Sequence, residues 1–92
     1  MTETRETMIK RMRMRSMRRG IKEMDLILSD FASRTLDSMD DAGLANYDAL
    51  LAENDHDLYA WVGGAVEAPA QYADLVAQIG AGAKGLTKPT VN

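Results

Sequence analysis

Four stretches of this chain repeat apolar residues at helical spacing, and none is long enough to be stable alone. That pattern limits the fold more than any other feature. Met24, Ile27, Leu28 and Phe31 follow i, i+3, i+4, i+7 spacing, and Ile21 extends the stripe backwards. Lys22, Glu23, Asp25, Ser29, Asp30, Ser33 and Arg34 fill the other face. An amphipathic helix is therefore expected from Gly20 to around Thr35–Asp37. A second stripe, Leu44, Tyr47, Leu50 and Leu51, follows Asp40, whose side chain suits the N-cap. Gly43 costs that helix about 1 kcal/mol relative to alanine. A third stripe, Leu58, Trp61 and Val62, is expected behind an Asp55 cap and ends at Gly63-Gly64. The fourth, Tyr72, Leu75, Val76 and Ile79, follows Pro69, which suits a first helical turn.

The segment 5–17 is ambiguous. Met8 and Met12 sit four apart and Ile9 and Met12 three apart, whereas Arg11-Met12-Arg13-Met14-Arg15 alternates with the period of a strand. Methionine, arginine, lysine and glutamate favour the helix. The expected fold class is all-α, a compact bundle of about five short helices. One helical domain should cover 1–80. A flexible C-terminal tail should cover 81–92, where Gly82, Gly85 and Pro89 interrupt any helix.

Composition removes several classes of function. The 92 residues include no cysteine, which excludes a disulfide framework, a thiolate zinc site and a cysteine nucleophile. The single histidine, His56, cannot build a histidine metal cluster and reads as a solvated residue at a helix start. No nucleophile–base pair is evident, so no catalytic or metal-binding residue is assigned and the chain is not expected to be an enzyme. Strongly apolar runs reach only Leu26-Ile27-Leu28, so no membrane insertion is expected. The first fifteen residues lack the apolar core of a secretory signal, which points to the cytoplasm of a bacterium.

The net charge of −3 conceals an asymmetry. Residues 1–22 carry eight basic and two acidic side chains, and residues 23–92 carry three basic and twelve acidic ones. Such a dipolar surface can steer a partner, or the basic segment can lie along the acidic body of its own domain. Met24 reads as core, and Met8, Met12, Met14 and Met17 as an adaptable, partly exposed partner surface. Trp61 and Tyr47, at helical spacing beside leucines, read as core rather than as a pair that stacks on a planar ligand.

The sharpest local feature is Arg19-Gly20-Ile21-Lys22-Glu23-Met24-Asp25, at the expected junction of the first two helices. It has two readings. In one, Gly20 is a hinge, Glu23 caps the following helix, and Arg19 and Glu23 form an i, i+4 surface pair. In the other, glycine leaves room for another protein's backbone, and the flanking opposite charges set its register.

The run Arg15-Ser16-Met17-Arg18-Arg19-Gly20-Ile21-Lys22-Glu23-Met24-Asp25-Leu26 resembles the signature of the SdhE family. These are succinate dehydrogenase assembly factors, or flavinators, some with the older label antitoxin CptB. Arg19, Gly20 and Glu23 match the family's Arg-Gly-x-x-Glu motif. Downstream, Tyr47-Asp48-Ala49-Leu50-Leu51 and then Asp55-His56-Asp57-Leu58-Tyr59-Ala60-Trp61 resemble its second block. His56 stands where many members have proline, and Gly43 where a capping-box glutamate is common.

The resemblance implies a five-helix factor that binds the flavoprotein subunit of succinate dehydrogenase and promotes covalent attachment of FAD. The flavoprotein subunit of fumarate reductase is a second expected client. FAD would be the client's cofactor, with none bound tightly here. The partner-binding residues implied are Arg15, Arg18, Arg19, Gly20, Ile21, Glu23 and Asp25. An alternative from the residues alone is a ribbon-helix-helix DNA binder or antitoxin, with Arg11–Arg15 as the ribbon. The acidic remainder argues against nucleic acid as a partner.

Overall fold

The second helix, α2 (Lys22–Thr35), is the centre of the bundle, because its stripe is the widest in the chain. Met24, Ile27, Leu28, Phe31 and Ala32 are all buried on one face. The computed structural model describes residues 3–83. Around α2 are arranged α1 (Arg5–Arg15), α3 (Asp41–Leu50), α4 (Asp55–Val62) and α5 (Ala73–Ala83). Single 3-10 turns at Leu36–Ser38 and Ala70–Tyr72 precede α3 and α5. No strand occurs among the described residues, and the segment Arg11–Arg15 is helical.

The four expected stripes meet in one core, although Trp61 and Val62 of the third are only partly buried against it. Leu44, Tyr47, Leu50 and Leu51 join the same core as the α2 stripe, with the Phe31 and Tyr47 rings tilted at 5.5 Å between centroids. Leu58 is wholly buried, and Tyr72, Leu75, Val76 and Ile79 complete the far side. Each large aliphatic side chain removed from water here contributes about 1.5–3 kcal/mol. The helix starts depart from expectation in instructive ways. Asp40 does cap α3, accepting from the Gly43 N–H at 2.7 Å. The cap of α4, however, is Asn54, whose side chain accepts from the His56 N–H at 2.8 Å. Asp55 lies one residue inside the helix, and its carboxylate turns elsewhere. His56 itself is exposed, as expected.

Pro69 precedes a 3-10 turn, and α5 proper begins at Ala73. That helix runs to Ala83, past the boundary expected at Gly80. Residues 84–92 of the expected tail lie outside the described part. Gly82 is not a breaker. A Cβ there would meet only the Arg34 guanidinium, the mobile end of a half-exposed side chain, and the helix runs through this glycine without a break. Gly64, at φ +83°, does supply the left-handed residue that stops α4.

The basic first helix lies along acidic parts of its own chain. Arg5 pairs with Asp41, Arg13 with Asp37, and Arg11 and Arg15 both reach Asp48 at 2.8 Å. Arg11 also holds Glu3 at 2.8 Å. Hydrogen bonding from Arg11, with both arginine charges adding, keeps the Asp48 carboxyl below its ordinary value of 3.8. Arg11 is in turn held more firmly protonated than usual, through its bonds to Asp48 and then Glu3.

A pH dependence follows with a definite sign. A carboxyl depressed in the folded state stabilises fully above its unfolded value, and that contribution disappears as pH falls toward the folded value. Asp48→Asn is therefore expected to be less stable than wild type at neutral pH. The gap should close as urea-unfolding free energies are measured from about pH 5 down to about pH 2. A constant gap across that range would remove Asp48 from the acid response.

Candidate functional site

The chain leaves α1 at Arg15 and enters α2 at Lys22, so the Arg-Gly-x-x-Glu residues straddle a non-helical junction. Its floor is polar and closed. Ser16 is fully buried, donates to the Met12 carbonyl at 2.8 Å, and shares a 2.6 Å hydrogen bond with the Tyr47 hydroxyl. Burial pushes the Tyr47 phenol up to about 12, against smaller lowering effects from Ser16 and Arg19, so it stays neutral and keeps this bond. Ser29 of α2 donates to the Ser16 carbonyl at 3.3 Å. The reversal itself falls on Arg18, whose φ of 55° is left-handed. Gly20 is not in that region, so it is not the hinge the sequence suggested.

Arg19 is the largest surprise. Its side chain is only 10% exposed, and all three guanidinium nitrogens donate within the chain. Nε reaches Asp55 Oδ1 at 2.8 Å, Nη1 the Arg15 carbonyl at 2.8 Å, and Nη2 the Leu51 carbonyl at 3.1 Å. The expected i, i+4 pair with Glu23 is not formed. Such pairing needs a continuous helix, and residues 16–21 are not one. Glu23 stands exposed in the first turn of α2 and makes no hydrogen bond or ion pair among the described residues. The N-cap of that helix, Ile21, provides no side-chain cap, and Glu23 does not bond back to supply one.

Gly20 is exposed, and its N–H donates to Asp55 Oδ2 at 2.7 Å. A Cβ at this position would lie 3.0 Å from the same oxygen. Glycine is favoured here by that close approach rather than by its dihedral freedom, since with a Cβ present the Asp55 carboxylate would have to shift by a few tenths of an ångström. The remaining expected residues divide. Arg18 and Lys22 are exposed with no ion pair among the described residues, while Arg15 is committed to Asp48. Ile21 packs half-buried against the core, and Asp25 accepts from Ser29 at 3.2 Å.

Asp55 was absent from the expected docking residues, and the sequence marked it only as a helix cap and as part of the second block. The methionines also divide. Met14 and Met17 are exposed, Met8 is partly buried, and Met12 is wholly buried because it completes the narrow stripe begun by Ile9. Tyr47 is core. Trp61 is half-buried and tilted against Tyr72 at 5.9 Å.

What the junction presents is thus an exposed Glu23, with Arg18 and Lys22 nearby, on a floor fixed by buried polar bonds. A profile of the family described as flavinator of succinate dehydrogenase matches residues 10–82. The chain belongs to this family.

Among curated relatives, a protein of Meyerozyma guilliermondii is 52% identical over 59 residues, 64% of this chain and 44% of its own. One from Schizosaccharomyces pombe is 43% identical over 70 residues, 76% of this chain and 50% of its own. One from Mycosarcoma maydis is 40% identical over 72 residues, 78% of this chain and 30% of its own. Each is named succinate dehydrogenase assembly factor 2, mitochondrial. The chain spans half the length of these relatives or less. Their mitochondrial location lends no support to the bacterial cytoplasm expected from the sequence. Among the described residues, no helix is long and apolar enough to cross a membrane. The DNA-binding alternative is not supported either. Its ribbon segment is helical, and Arg11, Arg13 and Arg15 are each engaged by a carboxylate.

Proposed function

We propose that this chain acts by binding. It docks the α1–α2 junction onto the flavoprotein subunit of succinate dehydrogenase and promotes covalent attachment of that subunit's FAD. The flavoprotein subunit of fumarate reductase is a second client. The chain is not the catalyst and holds no FAD tightly. It holds the client so that the attaching histidine and the flavin face each other, and orientation alone can lower such a barrier by several kcal/mol. The observation that supports this reading is the unengaged Glu23 carboxylate, exposed in the first turn of α2 beside a junction held by buried hydrogen bonds, in a member of the flavinator family. An exposed charge that does no work in the free chain is available to set the register of a partner.

Mixing purified client, FAD and this chain, then following covalent flavin fluorescence on denaturing gels, tests the proposal. Addition of the chain should raise the rate of covalent attachment, and an unchanged rate refutes the reading. Glu23→Ala should slow attachment about tenfold when the chain is sub-saturating, the effect of losing one charged contact at an interface. Its melting temperature should fall by only a few degrees, because Glu23 contributes a helix-dipole interaction of about 0.3–1 kcal/mol. If activity falls only in proportion to lost helicity, the carboxylate is structural.

A further inference from the structure

We infer that Asp55 is a positioning residue for the docking junction, acting through Gly20 and Arg19 without touching the partner. This inference rests on the docking function proposed above. Asp55 opens α4, yet its carboxylate is not used on that helix, because Asn54 already supplies the cap. Its two oxygens are instead divided between neighbours in the junction. Oδ1 accepts from Arg19 Nε at 2.8 Å, and Oδ2 accepts from the Gly20 N–H at 2.7 Å.

Arg19 carries the restraint further. Its other nitrogens tie the end of α1 through the Arg15 carbonyl and the end of α3 through the Leu51 carbonyl. One carboxylate therefore fixes the backbone three residues before Glu23 relative to three helices. Asp55 is only 20% exposed at its side chain, whereas Gly20 and Glu23 face solvent. The partner reads the outer surface, and Asp55 holds it in place from beneath. A preorganised contact surface binds more tightly because less ordering remains to be done on association.

The test uses the whole chain and the purified flavoprotein subunit of succinate dehydrogenase. Asp55→Asn removes the charge and one acceptor. Asp55→Glu keeps the pair with Arg19, but its longer side chain cannot occupy the space beside Gly20, so it separates stability from geometry. Hydrogen exchange of the Gly20 amide reports the restraint without any client. It should be protected in the wild type and exchange at least about tenfold faster in both variants, as expected for loss of a hydrogen bond to a charged group. At temperatures where circular dichroism shows both variants folded, each should bind the subunit about tenfold more weakly than wild type.

If the Gly20 amide of either variant exchanges fast while its affinity equals wild type, the positioning role is overturned. An unprotected wild-type Gly20 amide overturns it as well. If the wild-type chain does not bind the subunit at all, the docking function fails and this inference fails with it. That outcome is told apart from the others by the wild-type control alone.

Discussion

Replacing Arg19 by methionine is expected to destabilise the fold by about 2–4 kcal/mol, a far larger effect than an exposed motif arginine would show. The arithmetic follows from its surroundings. Three donors disappear together, leaving the Arg15 and Leu51 carbonyls without this partner. Asp55, four-fifths buried, keeps its charge but retains only the Gly20 N–H. Methionine preserves most of the apolar stem, so the loss isolates the polar head. For a domain of this size the melting temperature should fall by about 10–25 °C. Arg19→Lys should recover only part of this, because an ammonium cannot address three acceptors in the geometry of a planar fork. An unchanged melting temperature in the methionine variant would reduce the Arg19–Asp55 contact to ordinary surface pairing. Activity measured on either variant then needs correction for the folded fraction.

Arg19 also marks the boundary of what the sequence could reveal. Stripes at helical spacing are local, and Met24-Ile27-Leu28-Phe31 or Tyr72-Leu75-Val76-Ile79 announced their buried faces directly. Four of the five helices followed from them, and the first from the helix-favouring residues of segment 5–17. The partner of Arg19 lies thirty-six residues away, where no local spacing rule reaches. The same long-range bond explains the misplaced cap of α4. Aspartate is a good N-cap, but this one is drawn across to Arg19 and Gly20, and the neighbouring Asn54 takes over. Met12 failed for a related reason. In a helix whose other positions are mostly charged, two apolar residues three apart become the whole buried face. The charge asymmetry was legible as a number. Its meaning was decided by Asp37, Asp41 and Asp48, which engage α1 internally.

Gly20→Leu is the variant in which stability and docking should fall together, and separating the two losses decides why glycine stands there. The first Cβ already lies 3.0 Å from Asp55 Oδ2, closer than an unstrained contact allows. The carboxylate must give by a few tenths of an ångström, which stretches its bonds to Gly20 and Arg19 and, with the rest of the leucine to place, costs about 1–3 kcal/mol. No backbone strain adds to this, since Gly20 does not occupy a left-handed conformation. The rest of the leucine side chain then projects from an exposed position beside the start of α2. If a partner's backbone approaches there, affinity for the flavoprotein subunit should drop about a hundredfold or more, measured where the variant is folded. Gly20→Ala should reproduce most of the stability loss with a smaller loss of affinity, because the clash with Asp55 begins at Cβ and the clash with a partner grows beyond it. A leucine variant that melts lower yet binds like wild type would mean that the glycine serves Asp55 alone. The docking face would then have to be centred on Glu23 and the exposed residues further along α2.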